Sequence, residues 1–364
     1  MKLSSRLPFW SIISPVAAWI LLALNFTGYG TELSKVFEVL LVCGLIAGIL
    51  SAVFHAEVVA HRVGEPYGTL VLALAVTAIE VALIVSLMIT GGEAASGLAR
   101  DTVFASVMII LNGMVGICLL SGGRRHGEQS FSLLGVSAAL VTLAAISVLT
   151  LVLPNYTTTI LGPIYSNSQL TFIAAVSLVL YGTFLLVQTV RHRDYFLPPL
   201  AETDEGIHAT PPSDRMALLS ALLLLTCLCA VVLLAKGLSP ALEAAVASAG
   251  APKTLVGIII AVVVLLPESI AAYQAARANR LQTSLNLALG SALASIGLTI
   301  PAVSVVSLMT GWTLSLGIDA KSTVLLVLSL FVASLSLGTG RTTVMQGMVH
   351  LVIFAVYLFT AIVP

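Results

Sequence analysis

Two of the sixteen acidic residues in this chain stand where a charge is hardest to keep. Glu80 lies about fifteen residues into the apolar run GEPYGTLVLALAVTAIEVALIVSLM, and Glu268 sits at similar depth in APKTLVGIIIAVVVLLPESIAAYQAA. A carboxylate at the centre of a membrane-spanning helix costs about 2.5–3.5 kcal/mol. Two at matching depth call for compensating chemistry, and the chemistry open to them is binding a proton or a cation. The structural alternative is a pair of neutral, protonated glutamates hydrogen-bonded in the core.

The surroundings favour a cation site. Thr69, Thr77 and Glu80 are spaced eight and three, which places two hydroxyls on the carboxylate's helical face. Pro267 immediately precedes Glu268, and a mid-helix proline frees a backbone carbonyl. Ser284, Ser291, Ser295 and Thr299 recur at steps of seven, four and four in SLNLALGSALASIGLTIP, a hydroxyl stripe beside a Gly290–Ala294 close-packing seam. Thr102, Ser106 and Gly113, with Asn112 alongside, form a thinner counterpart. Such stripes also serve simply to join helices. Oxygen-only ligands suit a hard cation, Ca²⁺, Mg²⁺ or an alkali ion, rather than zinc or copper. Two carboxylates match the charge of one divalent ion or hold two protons, and competition for the same oxygens suffices for exchange. The metal ligands expected are thus Glu80 and Glu268, with Thr77 and Ser295 as hydroxyl neighbours. Ca²⁺ and H⁺ enter as cargo, and no resident cofactor is expected.

The elements that must position these groups are apolar. Of the 364 residues 59% are hydrophobic and only 9% charged, and the mean hydropathy is +1.09, so the charge that covers a water-facing surface is missing. Sixteen Lys+Arg balance sixteen Asp+Glu, which leaves no basic excess for nucleic acid. The expected partners are membrane lipid and the transported cations. The four cysteines lie in apolar runs and outline neither a disulfide framework nor a thiolate metal site.

Stretches long enough to cross a bilayer fall at about 10–25, 33–60, 66–90, 101–121, 130–153, 168–190, 216–237, 252–276, 284–310, 322–338 and 343–363. The predicted fold is therefore an all-α polytopic membrane protein of about eleven transmembrane helices. The long hydrophilic connection 191–215 reads as a linker. The chain then parses as an extra N-terminal helix (1–30), a first five-helix repeat (31–190), a cytoplasmic linker (191–215) and a second five-helix repeat (216–364). Five is odd, so the second repeat enters the membrane inverted, and Glu80 and Glu268 both fall on the second helix of their five. With the N-terminus inside, the Lys/Arg count is eleven inside against five outside, which places the N-terminus in the cytoplasm and the C-terminus outside.

A second acidic group, His55-Ala56-Glu57-Val58-Val59-Ala60-His61 followed by Glu65, lies at the inner end of the second span. Glu57 and His61 share a face at i,i+4, and with Glu65 they read as a proton or ion vestibule. An interfacial ion pair with Arg62 is the alternative.

Three segments carry a resemblance. His61-Arg62-Val63-Gly64-Glu65-Pro66-Tyr67-Gly68 with its continuation to Glu80, Leu266-Pro267-Glu268 with Gly290-Ser291, and Thr339-Gly340-Arg341-Thr342 resemble the ChaA-type bacterial calcium/proton antiporters of the calcium/cation antiporter superfamily. The resemblance implies inverted five-helix repeats after an extra helix, a bacterial inner-membrane location, and an ion bound by alternating access between the two repeat regions. It implies that Glu80 and Glu268 are the ion-binding pair, that Ser291 is a ligand serine and that Ser106 is its first-repeat counterpart. The chain departs from the wider superfamily at Val76-Thr77, Val264-Leu265 and Ala294, where amide-bearing residues are usual. Ca²⁺/H⁺ exchange is the expected activity, with Na⁺/H⁺ or K⁺/H⁺ exchange on the same site as the alternative. No His-Glu-x-x-His and no Gly-x-Ser-x-Gly is present, so an intramembrane enzyme lacks its machinery.

Overall fold

A computed structural model describes residues 7–27, 34–64, 67–197, 212–250, 252 and 254–363. In chain order the helices are α1 (Phe9–Phe26), α2 (Ser34–Val63), α3 (Tyr67–Gly91), α4 (Leu98–Met108), α5 (Val115–His126), α6 (Leu133–Ser147), α7 (Asn167–Leu186), α8 (Asp214–Ser248), α9 (Thr254–Arg277), α10 (Leu281–Thr310), α11 (Ala320–Ser336) and α12 (Val344–Ile362). Helices α4 and α5 form one continuous rod, Leu98–His126, through a π-helical turn at Ile109–Met114. Among the described residues ten helical runs are long and apolar enough to cross a membrane. The remaining expected span, α11, has 17 residues, the short end of what a bilayer needs. The protein is a multi-pass, all-helical membrane protein.

Boundaries follow local chemistry. Gly64 takes a left-handed φ of 76° between α2 and α3. Ser166 and Gln169 form a reciprocal capping box at the start of α7, as do Thr343 and Gln346 at α12. Asp319 caps α11 by accepting from the Ser322 amide at 2.7 Å. The main departure from expectation is α8, predicted over 216–237 and observed to Ser248. The residues after Pro240, Ala-Leu-Glu-Ala-Ala-Val-Ala, are good helix formers that carry the helix past the proline. Lys236, near the end of the expected span, lies well inside the observed helix.

The helices fall into two compact units. One holds α1, α2, α3 and α8. Here α2 and α8 lie along each other with α1 against both, around Ala18, Leu22, Leu41, Ala230, Leu234 and Leu238. Pro15 has no amide to donate to the carbonyl of Ser11 four residues earlier. That freed oxygen accepts from Ser51 at 2.8 Å and meets His55 Nε2 at 3.0 Å, which ties α1 to α2 inside an apolar bundle.

The other unit holds α4–α7 and α9–α12. Its packing is reciprocal: α7 lies along α10 and α12 along α5. The last span before the linker thus packs on the third span after it, and the reverse. The contact of α12 with α5 is backbone-close, since a Cβ built at Gly347 would overlap the Leu120 amide nitrogen, and one at Gly116 would sit 3.0–3.1 Å from His350 and Leu351. A two-residue antiparallel ribbon, β1 (Gln129–Ser130) with β2 (Arg341–Thr342), ties the loops at one end. At the other end the loop before α11 is pinned: Gly317 N donates to Pro163 O, and Asn155 Nδ2 donates to Ile318 O at 2.7 Å. Replacing Gly347 by valine is expected to cost about 1–3 kcal/mol, read as a lowered Tm of the detergent-solubilised protein. Gly182→Val, at a position with nothing within 4 Å of the added Cβ, should leave Tm nearly unchanged.

Candidate functional site

Glu268 lies on α9, directly after Pro267. The proline removes the helical bond to the Val263 carbonyl, and the neighbouring Ser269 hydroxyl bonds back to Leu265 O at 2.7 Å. Helix α10 brings its hydroxyl face alongside: Ser291 Oγ donates to Glu268 Oε1 at 3.5 Å. Ser284, Ser295 and Thr299 of the same stripe are buried. Helix α4 adds Ser106, fully buried. It approaches α9 closely, because a Cβ at Gly257 would meet the Asp101–Thr102 backbone at 3.1–3.2 Å. Of the predicted residues in this unit, Glu268 and Ser291 are joined directly, and Ser295 and Ser106 lie inside the same bundle.

Glu80 and Thr77 belong to the other unit, on α3. Both side chains are buried, Glu80 to 2% exposure. They are one turn apart, which sets the hydroxyl on the carboxylate's side of the helix. Among the described residues no three of His, Cys, Asp and Glu gather as a metal-binding group. Beyond the glutamate carboxylates themselves, a cation there would draw its ligands from hydroxyl and carbonyl oxygens, the donor set of a hard ion.

Of the vestibule residues, Glu57 is half-buried on α2 and His61, one turn on, is exposed and close enough to act on it electrostatically. Glu65 lies outside the described residues. Arg62, weighed as a partner for Glu57, instead donates from Nε to Asp214 Oδ1 at 2.7 Å and joins the end of α2 to the start of α8. His55 is buried on the Ser11 carbonyl.

Two constellations escaped the sequence reading. One is a buried polar chain at the π-helical turn. Asn112 Nδ2 donates to Ser329 Oγ at 2.8 Å, Asn112 Oδ1 lies 3.3 Å from His350 Nδ1, and His350 Nε2 lies 2.8 Å from Ser336 Oγ. It joins the α4–α5 rod to α11 and α12. The available signal was His350 itself, an ionisable residue in an otherwise uncharged apolar run. The second is a cavity of about 130 Å³ where α4, α9 and α11 begin and α12 ends, bordered by Arg100, Asp101, Asp319, Lys321, Thr254 and Tyr357. Arg100 Nε donates to Asp101 Oδ1 at 2.8 Å, and Arg100 Nη1 reaches Gly317 O at 3.2 Å. At the rim, burial pushes the Asp319 carboxyl up, but the Ser322 hydrogen bonds and the charges of Lys321 and Arg100 outweigh it, so its pKa lies below the ordinary value. Asp319 itself keeps its negative charge at neutral pH, balanced by Lys321 and Arg100. Thr254 and Ile258 of this cavity stand on the same helix as Glu268.

The family described as sodium/calcium exchanger protein matches residues 34–190 and 219–363. A Sinorhizobium fredii protein described as a candidate ionic transporter is 49% identical over 99% of this chain and 98% of its own length. The Escherichia coli sodium-potassium/proton antiporter ChaA is 37% identical, over 96% of this chain and 95% of that protein. Among solved structures, native YfkE aligns with a TM-score of 0.72 at 18% identity, over 95% of this chain and 100% of that one. An H⁺/Ca²⁺ exchanger, CAX, aligns with a TM-score of 0.69 at 16% identity, over 96% and 88%. At these identities the structural likeness concerns the fold.

The buried chain gives a direct test. Asn112→Leu strips both Ser329 and His350 of a partner in an apolar interior and should cost about 2–5 kcal/mol of stability, read as a large fall in Tm. Ser334→Ala removes only a bond back to its own helix and should change Tm little.

Proposed function

The chain belongs to the sodium/calcium exchanger family of cation antiporters, and from that premise we propose that it exchanges Ca²⁺ for H⁺ by alternating access. Glu80 and Glu268 serve as the exchangeable carboxylates. The observation that carries this reading is a glutamate on the second of the five spans to each side of the linker once the leading helix is set aside: Glu80 is buried, and Glu268 is half-buried with the Ser291 hydroxyl on its Oε1.

Charge arithmetic supplies the mechanism. Two ionised carboxylates carry two negative charges, and leaving them uncompensated in a low-dielectric interior is strongly unfavourable. One Ca²⁺ neutralises both, and so do two protons. The protein can therefore change its open side when loaded with either, while the empty, doubly charged form is held back. That difference converts competition into obligatory exchange. Ser291 contributes its hydroxyl differently in the two states: it donates to the ionised Glu268 or turns its lone pairs toward a cation. Thr77, Ser106 and Ser295 are further oxygen donors, and the Val263 carbonyl released by Pro267 is another. With the N-terminus in the cytoplasm of a bacterial inner membrane, the cavity bordered by Arg100, Asp101, Asp319 and Lys321 opens to the outside at the start of α9.

A second reading keeps the site and changes the ion. The 37%-identical relative is named a sodium-potassium/proton antiporter, and the amide-bearing ligands of the wider superfamily are missing here at Val76-Thr77, Val264-Leu265 and Ala294. Under this reading one Na⁺ or K⁺ replaces one of two protons, and the neutrality rule still holds.

Proteoliposomes with an imposed proton gradient decide between the two. Addition of Ca²⁺ should dissipate the gradient, with two protons moved per ion and no dependence on membrane voltage. Either Glu80→Gln or Glu268→Gln should abolish the response. Ser291→Ala should retain exchange with a raised KM for the cation. A response to Na⁺ or K⁺ alone transfers the function to the second reading. Exchange that survives both glutamine substitutions rejects the site.

A further inference from the structure

Helices α5 and α9 both carry arginine in their last turn, and these side chains line one cleft of about 620 Å³. Arg124 and Arg125 come from the last turn of α5, and Arg277 from the last turn of α9. Tyr273 closes one side, with the Arg277 guanidinium carbon 5.7 Å from its ring centroid. Ile117 and Leu120 give the opposite wall an apolar surface, and Ile117 is 45% exposed. His126 Nε2, 3.0 Å from the Arg277 carbonyl oxygen, holds the two helix ends together.

Basic residues in a last helical turn complement the helix dipole, and that alone would account for one arginine per end. It does not account for three guanidinium groups lining a shared cleft that has no acidic residue on its wall. Among the described residues the ion pairs are Arg62–Asp214, Arg100–Asp101 and Arg341–Glu128, and none involves these three. Glu128 lies close in sequence but is committed to Arg341. Such a cleft disfavours a metal cation. Its guanidinium forks match the oxygens of a phosphate group, and its volume is that of a site for a sizeable ligand rather than a single small ion.

We propose that this cleft binds the phosphate of an anionic phospholipid, with the headgroup on Arg124, Arg125 and Arg277 and the upper acyl chain along Ile117 and Leu120. The position suits it: the cleft lies at the end of two membrane-spanning helices, and its apolar wall continues directly below the charged rim. Basic pockets between spanning helices on the positively charged membrane face take such headgroups. Binding here does not depend on which ion the protein carries. A bound lipid would also place its negative charge beside Arg277 at the end of α9, nine residues or about 13 Å beyond Glu268.

The test is lipid retention by the full-length protein, measured by native mass spectrometry after addition of phosphatidylglycerol or phosphatidylcholine. Phosphatidylglycerol should be retained in preference. The combined Arg124→Gln, Arg125→Gln and Arg277→Gln variant should lose that retention by on the order of a hundredfold, given the contribution of each arginine near an anionic lipid surface. Arg191→Gln with Arg193→Gln, which removes two positive charges elsewhere, should retain it. Arg277→Lys keeps the charge, loses the fork, and should show an intermediate loss with Tm unchanged. Equal retention by the triple variant and the native protein would overturn the proposal, as would equal losses in the two multiply substituted variants. Displacement of phosphatidylglycerol by inorganic phosphate at matched concentration would overturn the assignment to lipid in favour of a soluble phosphate.

Discussion

A carboxylate in hydrocarbon has to be matched by a proton or a cation, and much of this protein can be understood from that constraint. Glu80 is almost wholly buried on α3, and Glu268 is packed against the hydroxyl face of α10. Neither position would be kept for stability, since an apolar residue of similar size would serve the helix better. The same constraint explains the chemical character of the surroundings. Hydroxyls and a proline-released carbonyl can accept a cation's charge or relax when it leaves, whereas a fixed lysine or arginine would hold the carboxylate ionised permanently. In keeping with this, the arginines of the described residues lie at helix ends, in the 100–101 pair and around the terminal cleft.

Polar backbone groups face a milder version of the same rule. Every proline inside a membrane helix leaves a carbonyl without its helical donor, and the bilayer offers no water to replace it. At Pro15 the debt is settled by Ser51 and His55, which turns a helix defect into the tie between α1 and α2. At the π-helical turn of Ile109–Met114, Asn112 faces Ser329 and His350 and links three helices by hydrogen bonds. Where helices must pack without such bonds, they do so by close approach. Gly347 against Leu120 and Gly116 against Leu351 remove the side chains that would hold α5 and α12 apart.

The spans were legible because each is an unbroken apolar run bounded by glycine, proline or charge, and the bilayer admits only helix for such a run. Glu80 and Glu268 were legible because a lone acid in such a run stands out. The hydroxyl stripe of α10 was legible in its spacing, whereas the role of Ser291 beside Glu268 came only from the family resemblance. What the sequence hid depends on contacts between distant segments. Arg62 was read with its own helix's Glu57 and is held by Asp214, 152 residues away. His55 seemed part of an acidic–histidine cluster and serves a carbonyl that exists only because of Pro15. The three arginines of the terminal cleft lie on two helices separated by about 150 residues, so their convergence has no local signature. The extension of α8 to Ser248 was missed because Lys236-Gly237 and Pro240 resemble a helix end, whereas the alanine-rich segment that follows continues the helix.

The account rests on protonation and cation binding being alternatives at the same carboxylates. Infrared difference spectroscopy of the reconstituted protein on cation addition examines that claim at the groups themselves. Saturating Ca²⁺, or the monovalent ion if that proves to be the substrate, should remove a protonated-carboxyl C=O band and generate carboxylate bands of matching intensity. Glu268→Gln should delete part of the signal. A protonated-carboxyl band unchanged by every transported cation would mean that the glutamates keep their protons while the ion passes, and it would contradict the exchange mechanism at its centre.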